Sequence, residues 1–149
     1  MKRLGIISDT HSVLNNKVFS LFKNVDMILH AGDVGDDDII TQLNSVGPTT
    51  VVYGNTDDFK VRDKTKKEIT INLDGIKIHL SHNEKVKFED FDIIIQGHTH
   101  LPEMSYKGKS LYLNPGSANA ERSIPAGKAS VIILELKGKE IISSSVLFL

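Results

Sequence analysis

Short apolar runs separated by polar punctuation recur along the whole chain, and most lack the polar alternation of a half-exposed strand. Leu4 to Ser8 and Met27 to His30 are runs of this kind and predict fully buried strands. Thr49 to Tyr53, Asp92 to Gln96 and Leu111 to Leu113 predict three more. Glu68 to Leu73 and Ile76 to Leu80 flank Asp74-Gly75, a strong signal for a hairpin, and a last hairpin is expected over 129–136 and 140–148 around Lys137-Gly138-Lys139. Helical spacing occurs twice. Val18, Leu21, Phe22 and Val25 predict an amphipathic helix over 14–24, and Ile39, Ile40 and Leu43 predict one over 36–44. The three aspartates that open the second helix, Asp36, Asp37 and Asp38, suit a cap at the positive end of the helix dipole better than a metal site. Lys60 to Lys67 is mostly charged and reads as a solvated loop, although it could offer a cation to a phosphate. With no repeat or linker to divide it, the chain is expected to form one domain over residues 1–149. That domain would be a mixed sheet folded into two packed layers, with the few helices outside.

The apolar runs end in a consistent way. Six of them empty into short loops bearing Asp9 and His11; Asp33; Asn55 and Asp57; His82; His98 and His100; and Asn114 and Ser117. In open α/β sheets ligands bind outside the carboxyl ends of the strands, so these groups are expected to gather at one edge. Gly97-His98-Thr99-His100, directly after Ile93-Ile94-Ile95, is the focus, because histidines at i and i+2 on a loop leaving a strand can face one point beyond its end. Asp9, His11 and His100 could share one metal and Asn55, His82 and His98 a second, with Asp33 spanning both. Two divalent ions about 3.5–4 Å apart clamp a phosphoryl group and acidify a bridging water, so no protein nucleophile is needed. Accordingly there is no Ser–His–Asp order, no G-x-S-x-G elbow and no G-x-x-x-x-G-K-[ST] loop.

Composition narrows the chemistry further. The 149 residues, 40% hydrophobic and 25% charged, suit an ordinary globular protein with one core. A net charge of −1, from 18 basic and 19 acidic residues, leaves no electrostatic footprint for non-specific nucleic-acid or anionic-lipid binding. The absence of cysteine restricts metal ligands to nitrogen and oxygen. No run is long enough for a signal-peptide core or a membrane span, so a cytoplasmic location is expected. Exposed strand edges leave a homodimer open.

The ordered blocks Asp9-Thr10-His11, Gly32-Asp33, Gly54-Asn55-Thr56-Asp57, His82 and Gly97-His98-Thr99-His100 resemble the signature of the calcineurin-like metallophosphoesterases. Asn114-Pro115-Gly116-Ser117 makes the chain most similar to their small bacterial and archaeal phosphodiesterases. The resemblance implies a four-layer α/β-β/α sandwich of two mixed sheets with flanking helices. It also implies a dinuclear centre ligated by Asp9, His11, Asn55, His82, His98 and His100 and bridged by Asp33, with Asp33, Asn55 and His98 in catalytic roles. Small phosphodiesters would be hydrolysed by in-line attack of a metal-bridging hydroxide. Manganese is the expected ion, and iron, nickel, zinc, cobalt or magnesium is also compatible. The alternative is a non-catalytic, protein-binding scaffold resembling the retromer subunit, which keeps the fold but loses ligands; here all seven ligand positions are filled.

Departures from the family pattern carry expectations of their own. Thr56 stands where many members have a histidine, and a neutral hydroxyl is a poor acid, so esters with good leaving groups should be favoured. Asp57, with no histidine to orient, is expected to brace the Asn55 loop or accept backbone hydrogens. Asn83 and Glu84 replace the usual residues after His82, and the short interval to Asp92 implies a low site wall or one completed by a second subunit. His79 falls on the face opposite the site and reads as a satisfied sheet histidine. His30 is placed to donate to a ligand carboxylate, and Arg122 either meets a substrate phosphate or lies on the surface.

Overall fold

The computed structural model describes residues 1–149, in the order β1 (Lys2–Ile7), α1 (Lys17–Leu21), β2 (Met27–His30), α2 (Asp38–Asn44), β3 (Thr49–Val51), α3 (Phe59–Arg62), β4 (Glu68–Leu73), β5 (Ile76–Ser81), β6 (Ile93–Ile95), β7 (Pro102–Lys107), β8 (Ser110–Pro115), β9 (Ser130–Lys137) and β10 (Glu140–Phe148). A single 3-10 turn, Phe88–Asp90, precedes β6. The strands form two five-stranded sheets, ordered β10-β9-β1-β2-β3 and β4-β5-β6-β8-β7. Each sheet has three parallel strands: β1-β2-β3 in the first, running to its edge with antiparallel β9 and β10 on the other side, and β5-β6-β8 in the second, flanked by antiparallel β4 and β7. The six parallel strands are those whose carboxyl ends carry the polar loops.

The two-residue period of the strands sorts the side chains into layers. Leu4, Ile6 and Leu29 of the first sheet face Ile78, Leu80, Ile93, Ile95 and Leu113 of the second in a fifteen-residue core between them. The opposite face of the first sheet, with Ile7, Ile28, Val51 and Ile133, packs against Val18 and Phe22 of the α1 region, Ile39 and Leu43 of α2 and Val61 of α3. Gly5 belongs here, since a Cβ on it would lie 2.8 Å from the Phe22 ring. The outer face of the second sheet carries only the 3-10 turn, with Phe88 stacked on Tyr112 at 6.0 Å and Phe91 edge-on to His79 at 5.0 Å. The two mixed sheets with flanking helices are as expected, the fourth layer being thinned to that turn.

Several local expectations need correction. Helix α1 covers only Lys17–Leu21 of the expected 14–24, although Leu14 and Val25 still pack on the core. Helix α2 starts at Asp38 instead of 36; its N-cap, Asp37, makes no side-chain cap hydrogen bond, and it is Asp36, one residue earlier, whose Oδ1 accepts from the Asp38 N–H at 3.0 Å. The segment 60–67 is not all loop: Asp58 accepts from the Lys60 N–H at 3.0 Å and caps α3, which buries Val61. Strand β3 stops at Val51. Strand β7 was not legible, because Pro102–Lys107 lacks clean alternation; it is an edge strand held by pairing with β8, itself longer than 111–113.

Candidate metal centre

The loops leaving the six parallel strands bend sharply. Of the non-glycine residues at positive φ, five are candidate ligands: Asp9 (53°), His11 (44°), Asp33 (55°), His98 (74°) and His100 (63°). Each such residue costs of order 1–3 kcal/mol. The core between the sheets outweighs that strain, at about 1.5–3 kcal/mol for each fully buried aliphatic side chain. Close approach of neighbouring side chains explains two of the glycines that precede candidate ligands. A Cβ on Gly54 would lie 2.1 Å from Asp33 Oδ1, and one on Gly97 would lie 2.0 Å from Ser8 Oγ and 2.6 Å from Asp9 Oδ2.

All seven candidate ligands from the sequence meet in one place. In one half His100 Nε2 lies 3.2 Å from Asp9 Oδ1 and 3.4 Å from His11 Nε2, and His11 Nε2 lies 3.7 Å from Asp9 Oδ1. In the other half His98 Nδ1 is 3.2 Å from Asn55 Oδ1 and 3.3 Å from His82 Nε2. Asp33 Oδ2 faces both, 3.3 Å from His82 Nε2 and 3.7 Å from His11 Nε2. Asp9 is less one-sided than the sequence implies, with Oδ1 also 4.0 Å from His82 Nε2.

Hydrogen bonds behind these atoms decide what they present. His82 Nδ1 donates to the Ala31 carbonyl (2.8 Å) and His100 Nδ1 to the Arg122 carbonyl (2.7 Å), which leaves an Nε2 lone pair on each ring facing inward. Asp9 Oδ2 accepts from Ser8 Oγ (2.6 Å) and the His98 N–H (3.0 Å), and Asp33 Oδ1 accepts from the Thr56 N–H (3.0 Å). Asp9 Oδ1 is buried without any hydrogen-bond donor. An orphaned carboxylate oxygen ringed by imidazole nitrogens is expensive unless a cation sits among them, so the donor set fits a divalent metal. Its hard oxygen and imidazole chemistry, without sulfur, is compatible with the first-row divalent ions.

The electrostatics agree. Burial pushes the Asp33 carboxyl upward, but hydrogen bonds from His82 and the Thr56 N–H outweigh it and hold the group well below the usual carboxylate range. Asp9 is likewise lowered, burial being overcome by His11 and Ser8. For His82, burial disfavours the cation, yet the hydrogen bond to Asp33 and the charges of Asp9 and Asp33 raise its pKa.

The other singled-out residues lie nearby or elsewhere. Asp57 accepts from the backbone N–H groups of Gly54 (2.9 Å), Gly35 (3.0 Å) and Val34 (3.2 Å), and so braces the Asn55 loop. His30 does not reach a ligand carboxylate, since both of its ring nitrogens are taken, by the Gly32 N–H and Thr10 Oγ1, each at 3.1 Å. His79 is buried on the outer face of the second sheet, 2.8 Å from Ser81 Oγ. Arg122 is exposed, and what it brings to the centre is its carbonyl.

Sequence reasoning brought Asn114 and Ser117 to this edge without assigning them a bracing task, and missed Asn119. Asn114 Nδ2 donates to the Gly97 carbonyl (2.9 Å) and Thr99 Oγ1 (3.1 Å), Ser117 Oγ to the Asp9 carbonyl (2.7 Å), and Asn119 Nδ2 to the Thr10 carbonyl (3.2 Å). The Asn-Pro-Gly-Ser block was the available signal. Arg62 belongs to the charged 60–67 segment, which the sequence offered only as a source of a cation for a phosphate; its Nε donates to the Asp57 carbonyl at 2.6 Å, and an Nη reaches the Gly54 and Asn55 carbonyls at 3.4 Å.

Comparison with known proteins agrees with this geometry. A probable metallophosphoesterase of Methanothermobacter thermautotrophicus is 31% identical over 155 residues, covering 93% of this chain and 88% of the relative. A phosphodiesterase of Methanocaldococcus jannaschii is 26% identical, covering 76% of this chain and 82% of the relative. Among solved structures, an archaeal phosphodiesterase superposes with a TM-score of 0.78 at 24% identity, covering 97% of this chain and 99% of that one. Zinc-complexed Vps29 from Entamoeba histolytica superposes with a TM-score of 0.81 at 21% identity, covering 99% and 98%. The profile of the calcineurin-like phosphoesterase superfamily domain matches residues 1–139, and with its ordered ligand blocks gathered at one sheet edge the chain belongs to that superfamily.

Proposed function

We propose that this protein hydrolyses phosphodiesters at a centre of two divalent metals. Asp9, His11 and His100 would hold one ion, Asn55, His82 and His98 the other, and Asp33 would join them. The observation that carries the reading is the inward-facing set of Asp9 Oδ1, Asp33 Oδ2 and the ring nitrogens of four histidines, each 3.2–4.0 Å from at least one other of the set, with Asp9 Oδ1 buried and without a hydrogen-bond partner. When bound, a pair of such ions supplies Lewis acidity toward phosphoryl oxygens and an acidified water. The side chains then have three tasks. The lowered carboxylates stay charged and fix the ions' positions. The Ala31 and Arg122 carbonyls hold the His82 and His100 rings in the ligating tautomer. Asn55 and His98, the exposed members of the set, face the space a substrate phosphate would enter. Thr56 offers its N–H to Asp33 and no acidic group to a leaving alkoxide, so the rate should fall as the pKa of the leaving group rises.

The test is hydrolysis of bis-aryl phosphates by metal-stripped protein with and without Mn²⁺, beside Asp33→Asn and His98→Ala. Wild type should require the metal, and each variant should lose at least about a hundredfold in rate, as for removal of a group that stabilises transition-state charge. Equal rates in all three proteins would assign the activity to a contaminant. No metal-dependent rate in wild type would favour the non-catalytic scaffold.

A further inference from the structure

Two clefts flank the candidate metal centre, and they differ in charge. One, beside Ser12 and Thr56, carries Asp36, Asp37 and Asp58 against Lys60. The other, about 210 Å³, opens beside Asn55 and His82 and carries Arg62 and Lys67 against Glu84. Arg62 is held in place there, its guanidinium 4.7 Å from the centre of the Tyr53 ring and its Nε on the Asp57 carbonyl, so its charge is presented without further ordering. Lys67 Nζ lies 3.5 Å from Glu84 Oε1, with the two side chains 60% and 34% exposed. An exposed pair of this kind is weak and yields readily to a better anion. A negative group entering the second cleft therefore meets two cations, both from the 60–67 segment, against one carboxylate, whereas in the first it meets an excess of carboxylates. Both clefts open beside loops that carry candidate ligands, the second directly at Asn55 and His82.

We propose that the cleft at Arg62 and Lys67 is a binding site for an anionic arm of the substrate, so that the preferred phosphodiesters bear a second phosphate, phosphonate or carboxylate on one ester group. The proposal rests on the phosphodiesterase reading above and adds to it a class of substrate and a direction of binding.

The experiment compares two p-nitrophenyl phosphodiesters with the same leaving group, one with a methyl second arm and one with a 2-phosphonoethyl arm, whose carbon–phosphorus bond resists hydrolysis. The Mn²⁺-loaded wild type should prefer the phosphonoethyl ester, and raising the ionic strength should reduce the preference. Lys67→Glu should lower the ratio of the two kcat/KM values by about tenfold or more, through KM of the charged ester, as expected for reversing a charge beside a bound anion. Lys137→Glu makes the same change in net charge at the far end of the first sheet, and there the ratio should hold. Hydrolysis of both esters with a ratio unmoved by Lys67→Glu, or moved equally by Lys137→Glu, overturns the subsite and leaves the phosphodiesterase reading standing. Absence of metal-dependent hydrolysis of either ester overturns that reading and the subsite with it.

Discussion

Thr10 Oγ1 donates to the Val34 carbonyl at 2.8 Å, so its 3.1 Å contact with His30 Nε2 must place the proton on the ring. The Gly32 N–H then takes the Nδ1 lone pair, also at 3.1 Å. The neutral imidazole is satisfied on both sides, and a second proton would set N–H against N–H. Burial accordingly pushes the His30 pKa down to about 4. The unfolded value is about 6.5, so between the two the unfolded chain binds more protons and stability falls as pH falls, by about 2 kcal/mol from pH 7 to pH 5. Urea denaturation of metal-free wild type and His30→Gln at both pH values checks this: the advantage of wild type over the variant should shrink by that amount at pH 5. A pH-independent difference would mean that the ring protonates freely. The two-residue strand period was enough to set His79 apart from the site. It gave no guide to His30, whose partners lie across a turn and on another loop.

At the scale of elements, the strands of the two parallel trios were legible because each is a short apolar run closed by polar residues. The hairpins at Asp74-Gly75 and Gly138 were legible from their turn chemistry. Strand β7 and helix α3 were not, since one is an edge strand set by its pairing with β8 and the other rests on the Asp58 cap and one buried valine. The β8 loop has the clearest consequence. Asn114 joins the Gly97 carbonyl to Thr99 Oγ1 and accepts from the Gly116 N–H (2.9 Å), which ties the turn bearing His98 and His100 to the end of β8. Asn114→Ala leaves the buried Gly116 N–H without its acceptor, while the Gly97 carbonyl keeps the Thr99 N–H (2.9 Å), and should cost about 1–3 kcal/mol in urea denaturation. Because the same bonds aim two candidate ligands, Mn²⁺ affinity by titration calorimetry should fall by about 10–100-fold. Unchanged affinity at reduced stability would confine Asn114 to a role in the fold.

Across the whole molecule, metal binding at the candidate centre should be coupled to folding, because loops from two sheets build it. Asp9 and Asp33 are lowered, so their stabilising pairings persist until pH falls through those lowered values. His82 is raised, so in the metal-free protein its pairing with Asp33 is lost as pH rises through the raised value. A cation competes with the His82 proton, and Mn²⁺ should therefore raise the Tm more at pH 8 than at pH 6. The gain corresponds to about 2.7 kcal/mol when free metal is a hundred times its Kd. Thermal unfolding with and without Mn²⁺ at both pH values measures it, and an equal rise at both would exclude His82 from the metal's ligands. The sequence alone determined every strand but β7, the two hairpins at Asp74-Gly75 and Gly138, and the chemical type and order of the candidate ligand blocks, because periodicity and turn chemistry are properties of neighbouring residues. Only the tertiary structure decided that Asp9 and His100 stand 3.2 Å apart, which carbonyls fix the histidine tautomers, and that Arg62 and Lys67 flank the centre on one side. Those facts follow from two sheets packed face to face, a relation between residues far apart in the chain that no local pattern records.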